Sequence, residues 1–157
     1  MERPYHFQDS VSFAHYSFCR DNMSQQKYDE STLDASRMAS CQERSGQVDQ
    51  LVRSNQYLEA ISVALENPPV GSKSEEIKDL NGEIVLRALS AVPDKEADIK
   101  KVVDGLNSDQ HDTLMKYLYR ALGKAQNCGA MLKWHGILIE AAGVGCIVRT
   151  MTDRKTV

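Results

Sequence analysis

The sequence predicts an all-α protein, a compact bundle or small αα-superhelix of about six or seven helices with an extended N-terminal arm. Three observations carry this expectation. From about residue 46 onward, apolar residues recur every three or four positions, the spacing that gathers them on one helical face. No stretch alternates branched residues with period two, and no Asn-Gly turn stands between two such runs. Short breaks separate the apolar stripes, and short links between helices favour antiparallel neighbours. No fixed-period repeat is visible, so the sequence favours a true solenoid less than a compact domain.

The division falls near Ser45-Gly46, giving an arm over 1–45 and a helical body over 46–157. Before it, Val11 and Leu33 are the only Val, Leu or Ile residues, too few for an aliphatic core. The arm nevertheless carries Tyr5, Phe7, Phe13, Tyr16, Phe18 and Tyr28. Aromatic side chains offer large contact area for little lost rotamer freedom, so a docking arm, disordered when unbound, is the expectation; plain disorder is its alternative. Phe7, Val11, Ala14 and Phe18 can also share one helical face.

In the body, Tyr57, Leu58, Ile61, Ala64 and Leu65 form the first stripe. Asn67-Pro68-Pro69 stops it, because proline lacks the N–H and drives its predecessor out of the helical region. Ser72-Lys73-Ser74-Glu75 has the form of a capping box, with Ile77, Leu80, Ile84, Ala88 and Leu89 behind it. Asn81-Gly82 lies inside that stripe and weakens the helix rather than making a hairpin. Pro93 ends it, and Asp94 is placed to cap a helix carrying Ile99, Val102, Val103 and Leu106. Leu114, Met115, Leu118, Tyr119 and Leu122 follow, with Gly123 suited to a left-handed close. Met131, Leu132, Ile137, Leu138 and Ala141 mark another helix. Gly143 and Gly145 allow a sharp turn into Ile147, Val148 and Met151.

Composition excludes several functions. The chain has 157 residues, enough for one domain, and a net charge of −3. It has no dense Lys/Arg block, so neither nucleic acid nor an anionic membrane is an expected partner. No apolar run reaches the roughly 20 residues of a membrane helix, and the N-terminus has no apolar signal core. Cys19, Cys41, Cys128 and Cys146 show no paired spacing and read as reduced thiols of a cytosolic protein.

No chemical motif emerges. Cys128, His135 and Cys146 lack the tight spacing of a zinc site, so no metal is expected. Gly143-Val144-Gly145 lacks the third glycine and the preceding strand of a dinucleotide motif, and no nucleophile elbow or phosphate loop is present. No cofactor is expected, and the chain reads as a non-enzyme. A thiol-dependent enzyme would need a depressed thiol pKa beside a histidine. Trp134 is either a core residue or an interface anchor. Arg149, Arg154 and Lys155 complement the last helix dipole or meet an acidic partner.

The blocks Ala64-Leu65-Glu66-Asn67-Pro68-Pro69-Val70, residues 74–78, Ile84-Val85-Leu86, residues 114–119, Trp134-His135 and residues 143–157 together resemble one family: subunit 5 of the actin-related protein 2/3 complex. The resemblance spans most of residues 47–157. It implies a structural subunit supporting assembly and nucleation of branched actin filaments. It further implies a helical body docked on the complex's β-propeller subunit and on subunit 4, with an N-terminal extension reaching an actin-related subunit. Actin filaments would be indirect partners, and family members hold no nucleotide. The implied locations are the cytoplasm, the cytoskeleton and cell projections, with the nucleus as a further one. In the arm, Tyr28-Asp29-Glu30 matches the family pattern, and Phe18-Cys19-Arg20 is a looser counterpart of its Phe-Arg-Lys/Arg segment. The expected partner-binding residues are therefore Phe18, Arg20, Tyr28, Asp29, Glu30, Trp134, Arg149, Arg154 and Lys155. The alternative is a free-standing helical adaptor that binds peptides or helices in a groove.

Overall fold

The computed structural model describes residues 11–70 and 72–157, with side chains from Thr32 onward. Among these there are seven helices: α1 (Val11–Arg53), α2 (Tyr57–Leu65), α3 (Glu75–Ala91), α4 (Glu96–Asp104), α5 (Ser108–Gly123), α6 (Cys128–Ala142) and α7 (Val144–Thr152). No strand occurs among the described residues. The all-α expectation holds, and each body stripe became a helix.

The contacts divide the chain into Met1–Ser36 and Arg37–Val157. The second unit thus takes in residues 37–45, which the composition boundary placed in the arm. Cys41 and Arg44 are buried there, with Val48 one turn further on. A cysteine and an arginine stem can cover a core without any branched residue.

Helix α5 is the hub of this unit, touching α2, α3, α6 and α7, while α4 packs on α6. Leu114, Met115, Leu118 and Ala121 of α5 are buried beside Ile61 of α2, Ile84 of α3 and Trp134 of α6 in one core. Five of the apolar residues read from the spacing point outward instead: Leu58, Leu132, Ala141, Val148 and Met151 are exposed. Leu58 still has a neighbour, because a Cβ at Gly105 would stand 2.8 Å from its methyl carbons.

The helix ends differ from the sequence reading. Ser72 does not cap α3 in a box; its Oγ accepts the Ser74 N–H at 3.0 Å, and Ser74 is the N-cap. The reciprocal glutamine lies on α5, where the Asn107 N–H donates to Gln110 Oε1 at 2.9 Å. Lys95, not Asp94, precedes α4, and Asp94 pairs with Lys133 instead. Gly123 is still helical, and the left-handed residues after α5 are Ala125 and Asn127.

Gly143 makes the sharp turn. Its φ of 73° and ψ of 172° lie in a region open essentially to glycine alone. The turn bends α7 away from α6 by 108°. Gly145 has already entered α7. A Cβ at Gly143 would meet nothing within 4 Å, so Gly143→Ala should be destabilising through backbone strain only, by about 1–3 kcal/mol. Chemical denaturation would check this, and an unchanged midpoint would refute it.

A polar cluster crosses the apolar core. Asn81, on α3, is fully buried; its Oδ1 accepts from Arg44 Nη1 at 2.6 Å, and its amide nitrogen donates to the Tyr117 hydroxyl. Arg44 Nη2 also donates to the Asn67 carbonyl at 3.3 Å. Burial pushes the Tyr117 hydroxyl up to about 12, so it stays a neutral hydroxyl. Asn81-Gly82 is therefore an internal joint between α1, α3 and α5, within a continuous helix.

Candidate interaction surface

Helix α7 carries a conspicuous apolar feature on the outside of the body. Val144, Val148 and Met151 follow i, i+4, i+7 spacing and so share one face. They are 66%, 55% and 66% exposed. On the opposite face Cys146 is buried, and its thiol lies 3.6 Å from the His111 carbonyl oxygen. The helix is therefore docked by one side and apolar on the other.

Ion pairs fix its docked side. Arg149 Nε and Nη2 donate to Asp112 Oδ2 and Oδ1 at 2.6 and 2.8 Å, a two-pronged guanidinium–carboxylate contact. Beyond the helix, Lys116 Nζ donates to Asp153 Oδ2 at 2.5 Å and to the Lys155 carbonyl at 3.2 Å. Lys78 Nζ donates to Thr156 Oγ1 at 2.9 Å, and Arg120 Nη1 to the Val157 carbonyl at 2.6 Å. Arg120 also pairs with Glu75 and Asp79 of α3, and Lys124 shares Asp79.

The hydrogen bonds from Arg149 hold the Asp112 carboxyl below the usual aspartate value, against some burial. Those from Lys116, and then from the Lys155 backbone, do the same for Asp153. Depressed acids contribute stability above their unfolded value of about 3.9, and the contribution is lost as pH falls through the lower folded value. Carboxyl carbon shifts of both residues should therefore titrate below pH 3.9. In Arg149→Ala the Asp112 midpoint should climb back toward the ordinary value. A wild-type midpoint at or above 3.9 would disprove the pairing.

The expected contact residues divide into three groups. Trp134 is 2% exposed, which fits its core reading and leaves it no surface for a partner. Arg149, Arg154 and Lys155 are exposed on and just after α7. Phe18, Arg20, Tyr28, Asp29 and Glu30 fall within the span of α1, but their side chains lie outside the described residues. The expected face of Phe7, Val11, Ala14 and Phe18 lies outside the described side chains, and Phe7 outside the described residues altogether. Val144, Val148 and Met151 were not singled out as contacts by the sequence reading. Their signal was present in the spacing but looks the same as that of a core stripe.

Little here suggests catalysis. Burial, then the hydrogen bond with Asp112, pushes the Cys146 thiol up to about 12, opposite to what a nucleophilic thiol needs. Burial also raises Cys41. Among the described residues, no group of three His, Cys, Asp or Glu side chains gathers as metal ligands do. A cleft of about 460 Å³ lies between α4 and α6, with Leu132, Gly136 and Ile137 among its lining and Glu96, Lys100 and Glu140 at its charged border.

A helical body with one apolar helix face turned to solvent belongs to the class of proteins that work by presenting a surface. The sequence profile described as the ARP2/3 complex 16 kDa subunit (p16-Arc) matches residues 17–157. The chain belongs to that family. It is 38% identical over 124 residues to Actin-related protein 2/3 complex subunit 5 of Dictyostelium discoideum, covering 79% of this chain and 88% of the relative. It is 37% identical over 118 residues to subunit 5A of Arabidopsis thaliana, covering 74% and 86%. With subunit 5-C of Xenopus laevis the identity is 38% over 114 residues, covering 71% and 75%.

Proposed function

We propose that this chain is a structural, non-enzymatic subunit of the actin-related protein 2/3 complex, supporting its assembly and the nucleation of branched actin filaments. The observation that carries this is the family match across residues 17–157, which takes in the whole helical body. The α7 face supports it physically, because an apolar stripe left in water by the isolated chain gains by burial against a neighbour.

In this reading the body docks on the β-propeller subunit and on subunit 4, with Arg149, Arg154 and Lys155 meeting acidic groups at the border of the contact. The arm, through Phe18, Arg20, Tyr28, Asp29 and Glu30, reaches an actin-related subunit. Contacts made only in the nucleating arrangement would shift the population toward it. Tethering raises the arm's effective concentration, so weak intrinsic affinity suffices. The protein then resides in the cytoplasmic actin cytoskeleton, with cell projections and the nucleus as further sites.

The test is a tagged pull-down with mass spectrometry of co-purifying proteins. Both actin-related proteins and the β-propeller subunit should return in equal stoichiometry. Recovery of the chain alone, or with unrelated partners, would overturn the reading and favour an adaptor using the α4–α6 cleft. Removing residues 1–36, which leaves the body intact, should lower nucleation while assembly persists. Loss of assembly instead would place those residues within the docking body.

A further inference from the structure

We propose that residues 153–157 form a strap that sets the pose of α7 and so controls whether its apolar face is presented. After α7 ends at Thr152, the chain returns over α5 and reaches α3. Three basic side chains receive it in succession. Lys116 holds Asp153 and the Lys155 carbonyl, Lys78 holds Thr156, and Arg120 holds the Val157 carbonyl. Lys116 and Arg120 stand one turn apart on α5, and Lys78 projects from α3. Val157 closes the strap as an apolar plug, 3% exposed and part of the core cluster. Asp153 Oδ1 also accepts the Lys155 N–H at 3.0 Å, which turns the chain just where it leaves α7.

Two of the three receiving side chains also have partners outside the strap. Arg120 is fixed by Glu75 and Asp79, and Lys78 by Glu75 at 3.6 Å. Such preorganised donors lose little freedom when the strap seats. The α6 end of α7, by contrast, is a single glycine at Gly143, a joint that can swing. A short helix hinged at one end and strapped at the other holds one pose only while both ends are fixed. Between them, Cys146 is buried, Ile147 packs against the core and Arg149 adds an ion pair. The strap is thus a positioning device for Val144, Val148 and Met151. Its consequence for docking rests on the function proposed above; its effect on α7 does not.

Hydrogen exchange on the full chain separates the two. Val157→Gly empties the apolar seat, and Lys116→Met removes both contacts at the start of the strap while keeping a similar stem. In each variant the amides of residues 146–152 should exchange at least about tenfold faster, while those of residues 60–65 in α2 stay within about twofold. Unchanged α7 protection in either variant would overturn the strap. A parallel rise in α2 would overturn it too, because the segment would then be ordinary core. Failure of the variants to join the complex, with α7 exchange unchanged, would count against the strap and leave the assembly reading standing.

Discussion

Replacing Asn81 by leucine is expected to destabilise the body by about 3 kcal/mol, although leucine has the same forked arrangement of side-chain heavy atoms and a better helix propensity. Asn81 sits at 0% exposure and serves three partners at once, its Oδ1 also accepting from the Cys41 thiol at 3.8 Å. Its loss strands the guanidinium of Arg44, itself 9% exposed, and the Tyr117 hydroxyl. Among the described residues Arg44 has no carboxylate partner, so the Asn67 carbonyl would be its one remaining acceptor of those seen here. A buried charge stripped of a partner costs far more than the bond it made. Asn81→Asp should cost less than Asn81→Leu, since a carboxylate can accept from both Arg44 and the Tyr117 hydroxyl. Arg44→Met in the Asn81→Leu background should recover part of the loss, because removing both polar partners leaves nothing unsatisfied. Denaturant melts over this double-mutant cycle measure the coupling. Equal cost of Asn81→Leu with and without Arg44 would show that the guanidinium is not the reason.

This cluster shows where sequence reading loses its grip. Helix positions were legible because burial on one side imposes a three-to-four-residue rhythm, as in Ile77, Ile84 and Ala88 or Leu114, Met115 and Leu118. Asn81 breaks that rhythm, so a pattern reader takes it for a weak point. Its role depends on Arg44 and Tyr117, residues 37 and 36 positions away. Helix ends were misread for a related reason. Ser72, Asp94 and Gly123 have the right chemistry for capping or closing a helix. Which residue takes the cap is decided by backbone angles set by neighbouring helices, as at Lys95 and Asn107.

The interaction surface was illegible for a different reason. Val148 and Met151 were read correctly as one face of the last helix, but spacing reports only that a face is apolar. It does not report whether the cover comes from the same chain. Cys146, the residue that faces inward, is the least hydrophobic-looking of the set. The resemblance to a complex subunit supplied what periodicity could not, namely that apolar faces of such a chain can await a partner. The frequency of tryptophan among binding hot spots drew Trp134 into the expected contacts, although a buried core position was the other reading and is where it lies.

Placing glutamate at both Val148 and Met151 is expected to abolish incorporation into the complex while leaving the isolated chain folded. Both side chains are more than half exposed, and surface changes of this kind usually alter stability by no more than about 0.5 kcal/mol. At an interface the same changes act differently. Each removes an apolar group worth about 1.5–3 kcal/mol when buried, and each adds a carboxylate that docking must strip of water. Even the lower figure, taken twice, gives about 3 kcal/mol, or on the order of 100-fold weaker binding. Charge sign adds a second discrimination. The proposed contact has Arg149, Arg154 and Lys155 meeting acidic groups, so lysine at the same two positions should be tolerated better than glutamate. Co-purification of the two double variants, with circular dichroism confirming their fold, reads both effects. Full incorporation of the glutamate variant would mean that α7 faces solvent in the complex as well. Equal loss with glutamate and lysine would retain the apolar contact but remove the acidic partner from it, leaving Arg149 with the single task of holding α7 to Asp112.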